Sequence, residues 1–429
     1  MRVVVIGSGG REHAIALALA RDPAVTSLHA APGNPGIAAL AHTHPVAVAD
    51  PAAIAALARE LAADLVVIGP EGPLVAGAAD AVRESGIACF GPGRAAAMIE
   101  GSKAFAKEIM AEAGIPTAAA RSCTTPAEVD AALAGFGAPF VVKDDGLAGG
   151  KGVLVTEDAA AARAHARSVA RVVIEEFLDG PEVSLFAVCD GRTAVPLWPA
   201  QDFKRAHDGD RGPNTGGMGA YTPLPWAPAG LADEVMATVI QPALDTLARR
   251  GTPYRGLLYA GLALTAAGVK VIEFNARFGD PETQVVLDRL ETPLAGLLHA
   301  AAVGDLAGAS GPAGLRWRPG AAVTVVIAAP GYPERPVSGD AITGLEQSPA
   351  VPGTYILQAG TALDENGVLR SSGGRVLNVV GTGVDVEAAR AAAYQAADGI
   401  QMRGAWWRGD IAAAEGQPEP GPPERGLRS

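Results

Sequence analysis

The chain of 429 residues sets 34 Lys plus Arg against 46 Asp plus Glu, a net charge of −12, and 49% of it is hydrophobic. That length suits two to four domains, and this balance of apolar and charged residues excludes a disordered chain. The acidic excess argues against a general nucleic-acid or membrane-surface binder, and apolar stretches such as residues 321–329 fall far short of the ~20 residues that span a membrane.

The first apolar run, Val3 to Ile6, stops at Gly7 and does not read as a secretory leader. Cys89, Cys123 and Cys189 are widely spaced, so they read as buried reduced thiols of a cytoplasmic protein. Only six basic residues are lysine: Lys103, Lys107, Lys143, Lys151, Lys204 and Lys270. Arg cannot replace a compact ammonium in a tight site, which makes these six worth following.

In chain order, residues 2–6 predict a strand, then a glycine turn (Gly7-Ser8-Gly9-Gly10) and a helix to about Arg21. A helical segment, 52–63, precedes the strand Leu65–Ile68, and a third strand, Ile87–Phe90, ends at Gly91-Pro92. Such alternation predicts a doubly wound parallel sheet closing near Glu100. The first glycines fall short of a dinucleotide fingerprint, because the position that should be small is Glu12. Two readings stay open there: an anion site of Gly9, Gly10 and Arg11 at a helix N-terminus, or a plain strand-to-helix turn.

A helix over 103–113 is closed by Gly114 and Pro116. A strand over 139–143 leads into a glycine loop, 146–152, and a strand over 153–156. The reading continues with a helix over 157–171 running into a strand over 172–177. A loop rich in Gly, Asp, Asn and Pro spans 206–226. Strands 256–265 and 269–275 form a hairpin around Ala266-Ala267-Gly268. Residues 304–319 resemble a linker, a strand-rich segment begins at Ala321, a helix lies near 386–400, and a Pro-rich tail, 416–429, reads as disordered.

Two motifs stand out. Lys143 at a strand end, followed by glycines and Lys151, suits phosphate neutralisation by loop amides and ammonium groups, although the spacing is not that of a Walker A loop. Glu273 and Asn275, at i and i+2 of one strand, share a face and form an oxygen pair suited to Mg²⁺. The same alternation predicts that Lys270 faces away from Glu273. Arg277, Asp280 and Glu282 follow at once, a charge density typical of a site.

These elements occur in the order of the ATP-grasp superfamily. The segments Ile6-Gly-Ser-Gly-Gly-Arg-Glu-His13, Gly69-Pro-Glu-Gly-Pro-Leu74, Glu100-Gly-Ser-Lys103, Gly212-Pro-Asn-Thr-Gly-Gly-Met-Gly-Ala-Tyr221 and Glu273-Phe-Asn-Ala-Arg-Phe-Gly-Asp-Pro-Glu-Thr-Gln284 closely resemble the phosphoribosylamine–glycine ligase family, from residue 1 to about 411. The resemblance implies an α/β and α+β multidomain chain. Residues 1–100 would form a Rossmann-like substrate domain with a doubly wound parallel sheet. Residues 101–312 would form a two-part ATP-grasp domain with a mobile lid over about 118–185, and 320–411 a small strand-rich C-terminal domain.

The resemblance also implies residue roles. Lys103, Lys143, Gly149, Gly150 and Lys151 would meet ATP phosphates, and Glu175, Glu176, Phe177 and Leu178 the adenine edge. Glu182 would hold the ribose, and Glu273 and Asn275 the metal, Mg²⁺ with Mn²⁺ as the alternative. Arg277, Asp202 and Lys204 would be catalytic. Gly9, Gly10, Arg11, Glu71, Asn214, Thr215, Gly216, Gly217, Met218, Gly219, Asp280, Pro281 and Glu282 would bind glycine and 5-phosphoribosylamine. The implied product is glycinamide ribonucleotide, made in the cytoplasm through glycyl phosphate by a monomer or weak homo-oligomer that needs neither nucleic acid nor membrane. Asp144 and Phe203 depart from the family pattern, and the interval 156–172 is short, which leaves the glycine loop to do most of the covering. Another ATP-grasp ligase or carboxylase is the alternative, and a dinucleotide-binding oxidoreductase a more distant one.

Overall fold

The computed structural model of the chain describes residues 1–147, 149, 152–309, 314–345 and 351–413. The expectations for Gly150, Lys151 and the tail 416–429 lie outside the described residues.

The first sheet is parallel, with strands β1 (Arg2–Gly7), β2 (Ser27–Pro32), β3 (His42–Thr43), β4 (Leu65–Ile68) and β5 (Ala88–Phe90) in the order β3-β2-β1-β4-β5. Val3, Val4, Val5 and Ile6 are almost wholly buried, as a central strand covered on both faces requires. This is the predicted doubly wound sheet, with β2 and β3 added at the edge.

Two antiparallel four-stranded sheets follow. The smaller contains β6 (Ala120–Cys123), β7 (Phe140–Asp144), β8 (Val153–Thr156) and β9 (Val172–Glu175), in the order β6-β9-β7-β8. The helix expected over 157–171 is shorter, Ala159–Ala166, capped by the Asp158 side chain on the Ala160 N–H. Strand β9 ends at Glu175 rather than at residue 177: the Glu176 N–H still reaches the Ala119 carbonyl, but the Ala119 N–H is taken by the Glu176 side chain instead of its backbone. The larger sheet contains β10 (Glu182–Asp190), β11 (Ala194–Pro196), β16 (Arg255–Thr265) and β17 (Gly268–Asn275), in the order β11-β10-β16-β17.

The stretch 206–226 is not one loop. With the residues just before it, it holds β12 (Gln201–Asp202), the hairpin β13 (Arg205–His207) and β14 (Arg211–Asn214), and β15 (Gly219–Thr222). Strands β12 and β15 belong to the sheet of the C-terminal segment. That sheet continues with β18 (Ala321–Ala328), β19 (Thr354–Gln358) and β22 (Arg375–Gly383), in the order β12-β15-β18-β22-β19; between β19 and β22 lies a small hairpin, β20 (Thr361–Leu363) and β21 (Leu369–Ser371). One partner of β15, strand β18, lies about a hundred residues away, and no local pattern announces such a pairing. Among the described residues no helix is long and apolar enough to cross a membrane.

The helix Val386–Ala397 lies on β22 at very short range. A Cβ added at Gly381 would sit 2.4 Å from the Ala389 carbonyl oxygen and 2.4 Å from the Ala393 nitrogen. Gly381→Ala is therefore expected to push this helix off its sheet and to destabilise the protein by about 1–3 kcal/mol, read as a lower midpoint in urea denaturation; an unchanged midpoint would show that the helix yields freely.

Candidate active site

Helix Lys103–Ala113 starts at Ser102, whose hydroxyl accepts from the Phe105 N–H. The same hydroxyl donates to Asp145 Oδ1 at 2.9 Å, and the Ala104 N–H reaches that oxygen at 3.2 Å. The helix start is thereby tied to the root of the glycine loop. Lys103 Nζ donates to the Gly146 carbonyl at 3.0 Å. Lys143, on β7, donates to the Ile272 carbonyl at 2.9 Å and pairs with Glu175 Oε2 at 2.8 Å. Gly149 takes φ +55°, which favours glycine.

Strand β17 carries the expected oxygen pair. Glu273 lies opposite Gly261 and Asn275 opposite Tyr259, so the two share a face, and Asn275 Nδ2 lies 3.5 Å from Glu273 Oε1. Burial would raise the Glu273 carboxyl, but Lys204, Lys143 and Lys103 together hold it below the usual range. The pair thus presents an ionised carboxylate and an amide oxygen, a donor set that fits a hard divalent cation sharing phosphate and water ligands. Among the described residues no group of three or more His, Cys, Asp or Glu offers a competing metal cluster.

One expectation fails on this strand. A β-bulge interrupts the ladder, with Gly261 opposite Glu273 and Leu262 opposite Val271. The extra residue, Ile272, reverses the alternation. Lys270 therefore falls on the face of Glu273, and its Nζ pairs with Glu176 Oε1 at 2.8 Å. Glu176 also accepts from the Ala119 N–H. Phe177 is exposed and Leu178 half-buried beside it.

Residues from the first sheet meet the end of β17. Arg277 lies 3.3 Å from Glu71 and 3.1 Å from Glu100, and donates to Asn275 Oδ1 at 3.3 Å. Arg11 donates to the Phe278 carbonyl and pairs with Glu12 at 2.5 Å. The Gly9 N–H is already answered by Glu12 Oε2 at 2.6 Å, so the glycine turn is closed by a carboxylate of its own helix. Gly10 permits close approach: a Cβ there would lie 2.3 Å from Asn378 Nδ2. Glu282 accepts from Tyr259 at 2.7 Å and Ser184 at 3.3 Å.

The 214–219 loop is fixed from three sides. Asn214 Nδ2 donates to the Val153 carbonyl of β8 at 3.2 Å, and Thr215 Oγ1 to the Lys204 carbonyl at 2.9 Å. The Gly217 N–H returns to Thr215, the Met218 N–H reaches the Phe203 carbonyl, and Gly219 packs against the Thr324 carbonyl. Arg375, from β22, donates to the carbonyls of Gly216 and Asp280 at 2.6 and 2.8 Å and lies 3.4 Å from the Asp280 carboxylate; Gly217 packs on Pro281. The Tyr332 hydroxyl accepts from the Gly216 N–H. Arg375 and Tyr332 carry no motif of their own; β15–β18–β22 pairing brings them in. At Phe203, the Arg408 guanidinium lies 5.0 Å from the ring centroid, a cation–π contact in place of a polar side chain.

Lys204 pairs with Glu182 at 2.7 Å. Burial works against its charge, yet Glu182 and Asp202 raise its pKa well above the usual lysine value. Burial, opposed by Lys204 and aided by Glu282, Glu182 and Glu273, leaves the neighbouring Asp202 carboxyl pushed up to about 7.

Profiles of the phosphoribosylglycinamide synthetase domains match in series: the N domain over residues 1–100, the ATP-grasp (A) domain over 101–283 and the C domain over 322–414. The chain belongs to the phosphoribosylglycinamide synthetase family. It is 63% identical over 415 residues to the phosphoribosylamine–glycine ligase of Streptomyces coelicolor, which covers 96% of this chain and 99% of that protein. The crystal structure of a phosphoribosylamine–glycine ligase from Thermotoga maritima superimposes with a TM-score of 0.81 at 36% identity, covering 96% of this chain and 100% of that one. The biotin carboxylase domain of the Hydrogenobacter thermophilus 2-oxoglutarate carboxylase, solved with MgADP, ADP and bicarbonate, reaches a TM-score of 0.69 at 18% identity over 94% of this chain and 91% of that one, a likeness of fold alone.

Two predictions follow from this geometry. Lys143→Arg should weaken nucleotide use about 10- to 100-fold, since one charge-assisted contact is worth ~1.5–3 kcal/mol and a planar fork cannot occupy the point between Glu175 and the Ile272 carbonyl; steady-state kinetics with varied ATP checks this, and wild-type values would remove Lys143 from the site. An acid with a raised folded pKa binds its proton more tightly when folded, so the Asp202 contribution to stability falls as pH rises from its ordinary 3.8 to about 7. Asp202→Asn should therefore gain stability relative to wild type across that window. Denaturation at both ends of the window measures the difference, and a constant difference would count against the raised carboxyl.

Proposed function

We propose that the chain joins glycine to 5-phosphoribosylamine, with ATP cleaved to ADP and phosphate, giving glycinamide ribonucleotide. It is an ATP-dependent carbon–nitrogen ligase. The observation that carries the reading is the convergence of Lys103, Lys143 and Lys204, from three separate elements, on the single carboxylate Glu273. Three ammonium groups around a candidate metal carboxylate suit a polyphosphate bound between the two antiparallel sheets.

A carboxylate is a poor acyl donor, so glycine is first activated. One of its oxygens attacks the γ-phosphorus, the bond to the β-phosphate oxygen breaks, and ADP leaves. The amine of the sugar then attacks the acyl carbon of glycyl phosphate; the C–O bond to phosphate breaks and the nitrogen gives up a proton. Such phosphoryl transfer needs chiefly in-line positioning and charge neutralisation. In this reading Lys103 and Lys143 neutralise the phosphates, with Lys151 added from the glycine loop. The exposed Phe177 and the 176–178 backbone border the base, and Glu182 the ribose. Glu273 and Asn275 hold a divalent cation, Mg²⁺ or Mn²⁺, which would supply charge neutralisation of the β- and γ-phosphates. Arg277, Asp280, Glu282 and the 214–219 loop form the glycine and sugar-phosphate side, with Glu71 and Arg11 behind Arg277. Asp202, poised near neutrality beside Lys204, is placed to exchange the amine proton. Glycyl phosphate is open to hydrolysis, so the smaller sheet and its glycine loop close over it. The activity belongs in the cytoplasm, where nucleotide precursors and ATP are at hand.

Phosphate release from ATP is the assay. Release dependent on both glycine and phosphoribosylamine is expected; release that depends on bicarbonate instead would favour a carboxylase. Glu273→Gln should lower turnover about 10²-fold or more with the fold retained by circular dichroism, and unchanged turnover at limiting Mg²⁺ would remove Glu273 from the metal site.

A further inference from the structure

Of the six lysines, Lys107 and Lys270 belong to no recognised motif, yet both reach the paired glutamates at the end of β9. Lys270 bonds Glu176, and Lys107 bonds Glu175. The second contact has the larger consequence. Lys107 lies one helical turn beyond Lys103, and its side chain is only 14% exposed. Its ammonium meets three acceptors: Thr117 Oγ1 at 2.9 Å, the Ala118 carbonyl at 3.0 Å and Glu175 Oε1 at 3.0 Å. An ammonium has three protons, so Lys107 is fully committed. The other Glu175 oxygen, equally buried, lies 2.8 Å from Lys143 Nζ.

We propose that Lys107 is a positioning residue for the nucleotide phosphates: by compensating Glu175, it leaves Lys143 with a net positive charge to offer them. The proposal rests on the reading of Lys143 as a phosphate ligand. The triad Lys107–Glu175–Lys143 carries two positive charges and one negative. Lys107 cannot give its charge to a ligand, because Thr117 and the Ala118 carbonyl hold it beside Glu175. Lys143 donates once to Glu175 and once to the Ile272 carbonyl, which leaves one of its three donors without an acceptor among the described residues. The surplus charge of the triad is therefore delivered at Lys143. Without Lys107, Glu175 and Lys143 would form a neutral buried pair, and both carboxylate oxygens would compete with phosphate for the same ammonium.

The experiment is calorimetric titration of the full chain with a non-hydrolysable ATP analogue and Mg²⁺, and separately with adenosine. Lys107→Met should weaken the triphosphate at least about 10-fold, the order of one charge-assisted contact, and leave adenosine affinity unchanged. Lys107→Met combined with Glu175→Gln restores the single positive charge and should bind the triphosphate within a few-fold of wild type. Glu175→Gln alone should bind it more tightly than wild type, and this variant carries the test should Lys107→Met fail to fold. A Lys107→Met protein with wild-type triphosphate affinity, an equal loss for adenosine, a double variant no better than the single one, or a Glu175→Gln protein that gains nothing would each overturn the proposal. A wild-type chain that binds no ATP analogue would instead overturn the nucleotide reading beneath it.

Discussion

Glu273 is a half-buried carboxylate near the end of β17, and a charge drawn out of water without partners is costly. It stays ionised because Lys204, Lys143 and Lys103 face it from three elements that no single stretch of chain could supply. Each ammonium is in turn anchored elsewhere: Lys103 on the Gly146 carbonyl, Lys143 on Glu175 and Ile272, Lys204 on Glu182. The relative placing of helix Lys103–Ala113, the smaller sheet and the β12–β15 region is thus coupled to one charge. A polyphosphate and cation entering there would meet a preassembled set of countercharges, and binding would not have to bear the cost of gathering them.

A second constraint comes from the C-terminal segment. Strand β15 pairs with β18, and β22 lies beside β18, so Arg375 arrives against the carbonyls of Gly216, Gly217 and Asp280. The loop that reads as the substrate side is held by a strand some 160 positions further along the chain. Its glycines have a use in this setting: Gly219 admits the Thr324 carbonyl, and Gly216 admits the Arg375 guanidinium, each at a distance that a Cβ would block. The same economy governs the first glycine turn, where Glu12 occupies the space beside Gly7, Gly9 and Gly69 and satisfies the Gly9 amide itself. Arg11, with its guanidinium on the Phe278 carbonyl, then serves to join the first sheet to the end of β17.

Much of this was legible from local pattern. The strand Leu65–Ile68, the helix Lys103–Ala113 with its Gly114 boundary, the strand Val153–Thr156 and the hairpin of β16 and β17 follow from hydrophobic runs and glycine turns, which act over a few residues. So did the pairing of Glu273 with Asn275, because two residues apart on a strand means one face. Lys270 was misplaced for the same kind of reason: alternation is local, but the bulge at Ile272 that reverses it is set by the partner strand. The stretch 206–226 read as loop because Arg-Gly-Pro-Asn has no strand character until β13 pairs with it, and Gly219–Thr222 none until β18 supplies its partner.

The amino-acid sequence by itself determined the order of domains, the kind of sheet in the first of them, and which residue types carry the chemistry, since these depend on short-range propensity and on motifs contiguous in the chain. Only the tertiary structure decided that Lys107 and Lys270 hold Glu175 and Glu176 at the end of β9, that Arg375, Tyr332 and Arg408 brace the loop and the strand before it, and that Glu12 fills the first glycine turn. Those contacts join residues from different elements, some more than a hundred positions apart, and their energies arise from burial and charge compensation, which exist only once the chain has folded.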